Sequence, residues 1–95
     1  MSLQFTWNRK KAARNVKDHD GVSFDEAATV FGDPLAYIFD DDEHSDEKYR
    51  ELIIGYSQRR HLLIVSFTER QDIIRIISAR KADANERVNY EHARR

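Results

Sequence analysis

The stretch RHLLIVSFTERQDIIRIISAR, from Arg60 to Arg80, contains the pattern that decides the fold. Two apolar runs, Leu62–Phe67 and Ile73–Ile77, flank the polar residues Glu69–Asp72. Both runs are rich in β-branched residues and too short for a typical helix, so they predict two strands of a hairpin with the polar residues as its turn. Apolar side chains occupy both parities of the first run, which predicts a central strand covered on both faces.

Arg75 interrupts the second run and has the same parity as Ile73 and Ile77. A cation inside an apolar strand is costly unless its face opens to water or meets an anion. We therefore expect Arg75 to face a groove rather than the helix-packed core. Arg80 lies five residues later, and in an ideally extended strand the two arginines would point to opposite faces. The turn that follows the strand could redirect Arg80.

The rest of the chain predicts three more strands and three helical segments. The strands are Gln4–Asn8, Leu35–Phe39 and Tyr49–Ser57, and the helices are Arg9–Lys17, a segment from Ser23 to Gly32, and Ala82–His92. Ser23 and Glu26 have the spacing of a capping box, in which Glu26 reaches back to the Ser23 amide. In the last helix Ala84 and Val88 lie four apart, and we expect them to dock on the sheet.

This order of elements predicts the α+β class. Short connections between the last three strands predict an antiparallel meander, and the helices precede and follow it. We expect N-terminal helices and a C-terminal helix packed on a four- to five-stranded antiparallel sheet. Ninety-five residues without an internal linker predict one domain, residues 1–95.

The composition excludes several classes of function. No cysteine is present, which excludes disulfides, thiolate metal sites and a cysteine nucleophile. No apolar run approaches the roughly 20 residues that span a membrane, and no signal peptide is evident, so a cytoplasmic protein is expected. The net charge of −1 does not predict a nucleic-acid-binding protein outright. It does allow a basic face opposite an acidic one.

Metal and acid–base chemistry have few candidates. Asp40–Glu43 is a run of carboxylates, but no histidine or strand pattern positions them, so a solvated loop over Asp40–Glu47 is predicted instead of a two-metal site. His19 is the candidate general acid or base, because an imidazole titrates near neutral pH. Beside Asp18 and Asp20, its alternative role is to cap a helix. Neither a metal nor a cofactor is predicted.

Arginine suits phosphate binding, because its planar fork engages two oxygens and stays charged. Arg80 is a candidate phosphate-binding residue, and the alternative is an ion pair with Glu86 or Asp83. Arg75 is a second candidate, and its alternative is a salt bridge to Glu51 on a neighbouring strand.

Several blocks of sequence, spread over nearly the whole chain, resemble one family. They are Phe5-x-Trp7-Asn8, Asn15-x-x-x-His19, Gly21-Val22-Ser23-Phe24-Asp25-Glu26-Ala27, Phe31-x-Asp33-Pro34, Ile74-Arg75-Ile76-Ile77-Ser78-Ala79-Arg80, Asn85-Glu86-Arg87 and Tyr90. Together these blocks are similar to the BrnT family of toxins. Two departures are visible: Asp20 intervenes between His19 and Gly21, and the glycines expected in two hairpin turns are replaced by Arg59-Arg60 and Gln71.

The resemblance implies a RelE-like ribonuclease fold and a toxin of a type II toxin–antitoxin module. A BrnA-like antitoxin would neutralise the toxin, and the complex would repress its own operon. The resemblance also implies a cation at Arg50, which would bind phosphate or neutralise Glu47 or Glu51.

Three further residues are candidates for contact with RNA. Lys10 and Lys11 would steer RNA by their charge, and the alternative is that they form solvated surface. Tyr90 would stack on a base, and its alternative is to pack the last helix.

Two functions fit these observations. The first is a metal-independent endoribonuclease that inhibits translation, with its site on one face of the sheet at Arg50, Arg75, Arg80 and His19. The second is a non-catalytic interaction subunit that binds a DNA-binding partner and co-represses the operon. The near-neutral charge favours the second, whereas the resemblance and the strand arginines favour the first. We predict the ribonuclease, with DNA contacted only through the antitoxin complex.

Overall fold

The computed structural model describes residues 3–41 and 49–93 of the chain. Its elements are β1 Gln4–Thr6, α1 Arg9–Asp18, α2 Phe24–Thr29, β2 Tyr37–Asp40, β3 Glu51–Tyr56, β4 Leu62–Arg70, β5 Ile73–Lys81 and α3 Ala84–Ala93. A 3₁₀ turn, Val30–Gly32, follows α2. Most of the predicted loop Asp40–Glu47 lies outside the described residues, including Asp42 and Glu43 of the acidic run.

The five strands form one sheet in the order β1-β5-β4-β3-β2, so β4 is central as predicted. All six residues of Leu62–Phe67 are buried. Strands β2 to β5 pair antiparallel, which confirms the meander and the α+β class. Strand β1 differs from the prediction, because it pairs parallel with β5 and makes the sheet mixed. Parallel pairing needs a long connection, and the chain between Thr6 and Ile73 provides it.

The β4–β5 hairpin is tighter than the sequence predicted. Arg70 pairs with Ile73, so the turn consists of two residues, Gln71 and Asp72, rather than of Glu69–Asp72. Both turn residues have positive φ, at 53° and 66°. This is the backbone pattern of a type I′ turn, whose twist matches that of the flanking strands.

A β-bulge in β5 changes the alternation of its side chains. Phe67 pairs with Ile76, whereas the preceding Ser66 pairs with Ser78. Ile77 is therefore an extra residue on β5, and residues beyond it have the opposite parity from that of a regular strand.

The bulge places Arg75 and Arg80 on the same face of the sheet. Arg75 lies opposite Thr68 and Arg80 lies opposite Ile64, and these two partners share a face because they are four apart on β4. The expectation of opposite faces for an ideal strand is therefore wrong for this pair. We call this side of the sheet the arginine face.

Helices α1 and α2 cover the other side, which we call the two-helix face. Its core consists of Val22, Phe24, Ala27, Val30, Ile53, Leu63, Val65, Phe67, Ile74, Ile76 and Ala79. Asn15 fixes α1 to β5, because its Nδ2 donates to the carbonyl of Ala79 at 2.8 Å and its Oδ1 accepts from the Ala79 amide at 3.1 Å. Gly55 is required on this face, since a Cβ there would lie 2.7 Å from the Cβ of Ala36.

Only half of the predicted capping box at the start of α2 forms. Ser23 Oγ accepts from the Glu26 amide at 3.0 Å, as expected. The Glu26 carboxylate does not return to the Ser23 amide. Its Oε2 instead accepts from Ser57 Oγ and contacts His61 Nδ1, each at 2.7 Å. A buried carboxylate requires such partners, and they join α2 to the turn before β4.

Helix α3 lies on one end of the arginine face and docks through an unexpected residue. Ala84 and Val88 were expected to dock, but both are exposed, Val88 by 50%. Tyr90 is fully buried instead, and its hydroxyl donates to Asp33 Oδ2 at 2.8 Å. A tyrosine provides a large apolar ring together with a polar atom that reaches a partner. In the described part of the chain, no helix is long and apolar enough to cross a membrane.

Candidate functional site

Beyond the area that α3 covers, the arginine face forms a cleft of about 410 Å³. Two of the predicted cations line it, and the full lining is Asp41, Arg50, Leu52, Ile64, Ser66, Ile77, Ser78 and Arg80. Residues far apart in the sequence thus meet on one concave surface, which we call the arginine cleft. Two guanidinium groups on one concave surface favour binding of a group with several anionic oxygens.

Arg80 is held in place by a carboxylate. Its two terminal nitrogens donate to the two oxygens of Glu86, each at 2.7 Å, and Nη1 also donates to the carbonyl of Lys81 at 3.3 Å. These bonds to Glu86 raise the pKa of Arg80, and they lower the pKa of Glu86. The alternative of an ion pair with Glu86 is therefore present in the structure, at the edge of the same cleft. With 44% of its side chain exposed, Arg80 also remains accessible.

The same Glu86 lies in the first turn of helix α3. Its Oε1 accepts from the Asp83 amide at 2.8 Å, and the Glu86 amide donates to Asp83 Oδ1 at 2.8 Å. This is a complete capping box, so one carboxylate connects the start of the helix to Arg80.

Arg50 lies immediately before β3 and forms no ion pair with any residue that the structure describes. Its carbonyl accepts from the Asp41 amide at 3.1 Å. Glu51, one of its two predicted partners, faces the other side of the sheet, because Glu51 pairs with Phe67. The second partner, Glu47, lies outside the described residues. Arg50 is thus available to a ligand in the cleft.

Arg75 lines a neighbouring cleft on the same face, together with Thr6, Thr68, Arg70, Gln71 and Ile73. It is exposed, so the prediction that it faces a groove is confirmed. A salt bridge to Glu51 is excluded, because the two side chains lie on opposite faces. Its strand partner Thr68 is two residues, roughly 7 Å, from Ser66 in the arginine cleft. The two clefts therefore follow one another along β4.

The two-helix face is negatively charged at the end of the sheet where Arg50 and Arg75 make the arginine face positive. Asp40 and Glu51 are paired across β2 and β3, and Glu69 shares their face. Burial raises the pKa of Glu51, and the negative charges of Glu69 and Asp40 raise it further. A basic face thus lies opposite an acidic one, as the balanced net charge allowed.

The remaining polar candidates lie away from the arginine cleft. His19 ends α1 as its C-cap, with its amide donating to the Asn15 carbonyl at 2.9 Å. Lys10 and Lys11 are exposed in the first turn of α1. Because α1 packs on the two-helix face, the structure does not bring these three residues together with the arginines. Their roles stay predictions.

Tyr90 packs among aromatic side chains. Its ring stacks on that of Tyr37 with 6.1 Å between the ring centroids. With the ring of Tyr56 it forms a T-shaped pair, with 5.6 Å between the centroids. A fully buried ring is not available to stack on a base, so the packing alternative describes its position. The sequence of α3 did not predict that Tyr90 docks the helix, because a single buried residue leaves no repeating apolar pattern.

Two features of the structure, one inside the arginine cleft and one outside it, were missed from the sequence. Ser66 and Ser78 lie opposite each other in the arginine cleft. A serine in the middle of an apolar central strand was the available signal for Ser66. The Glu26–His61–Ser57 network was also missed, because its members are far apart in the sequence and no spacing connects them. Among residues 3–41 and 49–93, no group of three or more His, Cys, Asp or Glu side chains could hold a metal ion.

Comparisons with known proteins agree with the fold. The family model described as the ribonuclease toxin, BrnT, of type II toxin–antitoxin systems matches residues 7–86. A crystal structure of the Brucella abortus ribonuclease toxin, BrnT, is similar with a TM-score of 0.66, covering 86% of this chain and 99% of that chain. The two sequences are 20% identical, so this likeness concerns the fold. No curated protein matches the chain.

Proposed function

Since the chain belongs to the BrnT family of ribonuclease toxins of type II toxin–antitoxin systems, we propose that it cleaves RNA on its arginine face without a metal ion and thereby inhibits translation. The observation that carries this proposal is the meeting of Arg50 and Arg80 in one cleft. Arg75 continues the row of cations along the same face, as a bound single strand would need.

Each residue of the proposed site has a chemical task. Cleavage requires removal of a proton from the 2′-hydroxyl, stabilisation of the pentacoordinate phosphorane and protonation of the leaving oxygen. Arg50 and Arg80 would stabilise the phosphorane, and Arg75 would hold a flanking phosphate. Lys10 and Lys11 would attract RNA at longer range. His19 enters only as a candidate for proton transfer, because it caps α1 and does not line the cleft; Tyr90 is omitted, because its ring is buried.

Metal independence is supported by the charges already present. Two guanidinium groups supply the positive charge that a metal ion would otherwise bring to the transition state. Among the described residues, no group of three or more His, Cys, Asp or Glu side chains could hold a metal ion. We therefore expect cleavage to proceed through the protein's own side chains.

Membership of a type II family implies an antitoxin partner, and we propose a BrnA-like protein that covers the arginine face. Strand β2 is an edge of the sheet, and exposed apolar side chains lie along and beside it, namely Leu35, Ile38, Phe39 and Tyr49. A standard interface buries about 1,600 Å² in total, which would cover this edge and the cleft together. The complex would bind DNA through the antitoxin, in the cytoplasm, with residues 1–95 as one domain.

The test is incubation of the purified chain with RNA in EDTA, with and without Arg80→Ala. We expect the parent protein to cleave RNA and to leave a 2′,3′-cyclic or 3′-phosphate end, and the variant to lose this activity. Cleavage that stops in EDTA and returns with a divalent ion would show a metal-dependent mechanism instead. A parent protein that binds its antitoxin but never cleaves RNA would favour the non-catalytic interaction subunit.

A further inference from the structure

Ser66 has a buried hydroxyl without a hydrogen-bond partner. Its Oγ exposes less than 1 Å² and has no hydrogen-bond partner in the described part of the chain. The whole residue is 6% exposed. Nearly all buried polar groups in folded proteins are hydrogen-bonded, and an unpaired one destabilises the fold. Such a group therefore calls for an explanation.

The position of Ser66 in the arginine cleft offers an explanation for its unpaired hydroxyl. Ser66 pairs with Leu52 on β3 and with Ser78 on β5, and both partners line the arginine cleft. Ser66 itself is part of the lining that includes Arg50 and Arg80. The bulge lies directly beside it, so the strand pairing is irregular at this point of the cleft floor.

We propose that Ser66 is a phosphate-binding residue, whose Oγ donates a hydrogen bond to a non-bridging oxygen of the RNA phosphodiester held by Arg50 and Arg80. The inference rests on the proposed function. Serine has three staggered χ1 positions, so its hydroxyl can turn toward a ligand without movement of the strand. A hydrogen bond to an anionic oxygen is stronger than one between neutral groups, which suits a donor that is kept unpaired until the ligand arrives.

The chain offers a matched control in Ser57, which is equally buried at 5% exposure. Its Oγ donates to Glu26 and accepts from the amides of Arg59 and His61. Ser57 is thus a buried serine with a structural task, outside the arginine cleft. The two serines should respond to truncation in opposite ways.

The experiment compares Ser66→Ala and Ser57→Ala in the full-length chain. Thermal unfolding reports stability, and titration reports affinity for inorganic phosphate and for an RNA oligonucleotide with 2′-deoxy substitutions, which cannot be cleaved. We expect Ser66→Ala to keep or raise Tm and to weaken oligonucleotide binding about tenfold. We expect Ser57→Ala to lower Tm and to leave the affinity unchanged.

The outcomes separate this inference from the proposed function. If Ser66→Ala binds the oligonucleotide as the parent does, or if it lowers Tm as Ser57→Ala does, the hydroxyl is structural and the inference is wrong, while the ribonuclease proposal stands. A parent protein that neither binds the oligonucleotide nor cleaves RNA would overturn both. Weaker binding of inorganic phosphate in Ser66→Ala would show contact with the phosphate group itself. An effect on the oligonucleotide alone would place the contact on a phosphate within the RNA chain.

Discussion

The two faces of the sheet are made by the same strands, yet they differ in charge and in how their polar groups are satisfied. Arg50 and Glu51 are adjacent in the sequence, and strand alternation sends the guanidinium to one face and the carboxylate to the other. The net charge of −1 is therefore an average over two opposed surfaces. A near-neutral total does not argue against an anion-binding site.

Hydrogen bonding separates the two faces as well. On the two-helix face, buried Asn15 and Glu26 have partners that join the helices to the sheet. On the arginine face, the buried Ser66 hydroxyl has none in the described residues. The comparison suggests that Asn15 and Glu26 on the first face serve the fold, whereas Ser66 on the second serves a ligand.

The largest expected effect is on catalysis. Arg80→Ala should reduce the rate of RNA cleavage by about 100-fold or more, as loss of a transition-state donor does, and should abolish toxicity on expression without antitoxin. Repression of the operon should persist, because DNA contacts would belong to the antitoxin. Single-turnover cleavage and reporter repression measure the two effects.

Two controls sharpen the Arg80 experiment. Glu69→Gln changes a charge on the opposite face and should leave the cleavage rate unchanged. Glu86→Ala breaks the same ion pair but keeps the guanidinium, so it should affect cleavage much less than Arg80→Ala does. If Arg50, Arg75 and Arg80 were each replaced by alanine and all three variants stayed folded and fully active, the assignment of the arginine face would be wrong.

The second effect concerns stability on the two-helix face. Burial raises the pKa of Glu26, but hydrogen bonds from Ser57 and His61 outweigh it, so the pKa lies below the ordinary 4.5. Its contribution to the free energy of unfolding is therefore present above pH 4.5 and is lost as the pH falls through the lower folded-state value. Glu26→Gln should reduce stability by roughly 1–3 kcal/mol at pH 7. Chemical denaturation from pH 7 to pH 3 should show the difference between variant and parent shrinking, with cleavage per folded molecule unaffected.

A third, smaller effect concerns the length of the binding surface. Arg75→Ala should weaken binding of single-stranded RNA about five- to tenfold. The slope of the logarithm of the binding constant against the logarithm of the salt concentration should also fall by about one, as expected for the loss of one phosphate contact. Titrations at several salt concentrations measure both quantities. An unchanged slope would show that Arg75 contacts no phosphate and that RNA binds only in the arginine cleft.

The smallest effect has the opposite sign from that of Glu26. The pKa of Glu51 is raised by burial and by the carboxylates of Glu69 and Asp40. Its charge therefore opposes folding above the raised value, and this penalty disappears as the pH falls below the ordinary 4.5 and the group is protonated in both states. Glu51→Gln should stabilise the protein at pH 7 by up to about 0.5 kcal/mol. Denaturation at pH 7 and pH 3.5 tests this, and destabilisation at pH 7 would contradict it.

Much of the fold could be predicted from local patterns. The central strand followed from its two apolar parities, and the start of α2 from the Ser23 cap, because both depend on neighbouring residues alone. The hairpin turn was placed correctly but made too long, since Gln71 and Asp72 adopt positive φ without the glycine that normally marks such a turn.

The candidate site was less predictable, because it depends on pairing between strands. Arg75 and Arg80 share a face only because Ile77 forms a bulge. An isoleucine in an apolar run is no sequence signal for a bulge. Docking of α3 through Tyr90 likewise depends on Asp33, which is distant in the sequence. The sequence identified the arginines as candidate phosphate ligands, but only the structure shows that Arg50 and Arg80 meet in one cleft.

Pairing of the first strand with the last also has a consequence for synthesis on the ribosome. Asn15 bonds to Ala79 across a sequence separation of 64 residues, and β1 adds to the edge of β5. The β3–β4 hairpin forms through a short connection, whereas the N-terminal segment must wait until β5 has emerged from the exit tunnel. Contacts of such separation are the slow ones in folding. A nascent toxin should therefore keep its N-terminal strand unpaired until β5 emerges, leaving an interval in which an antitoxin already present in the cell can bind it first.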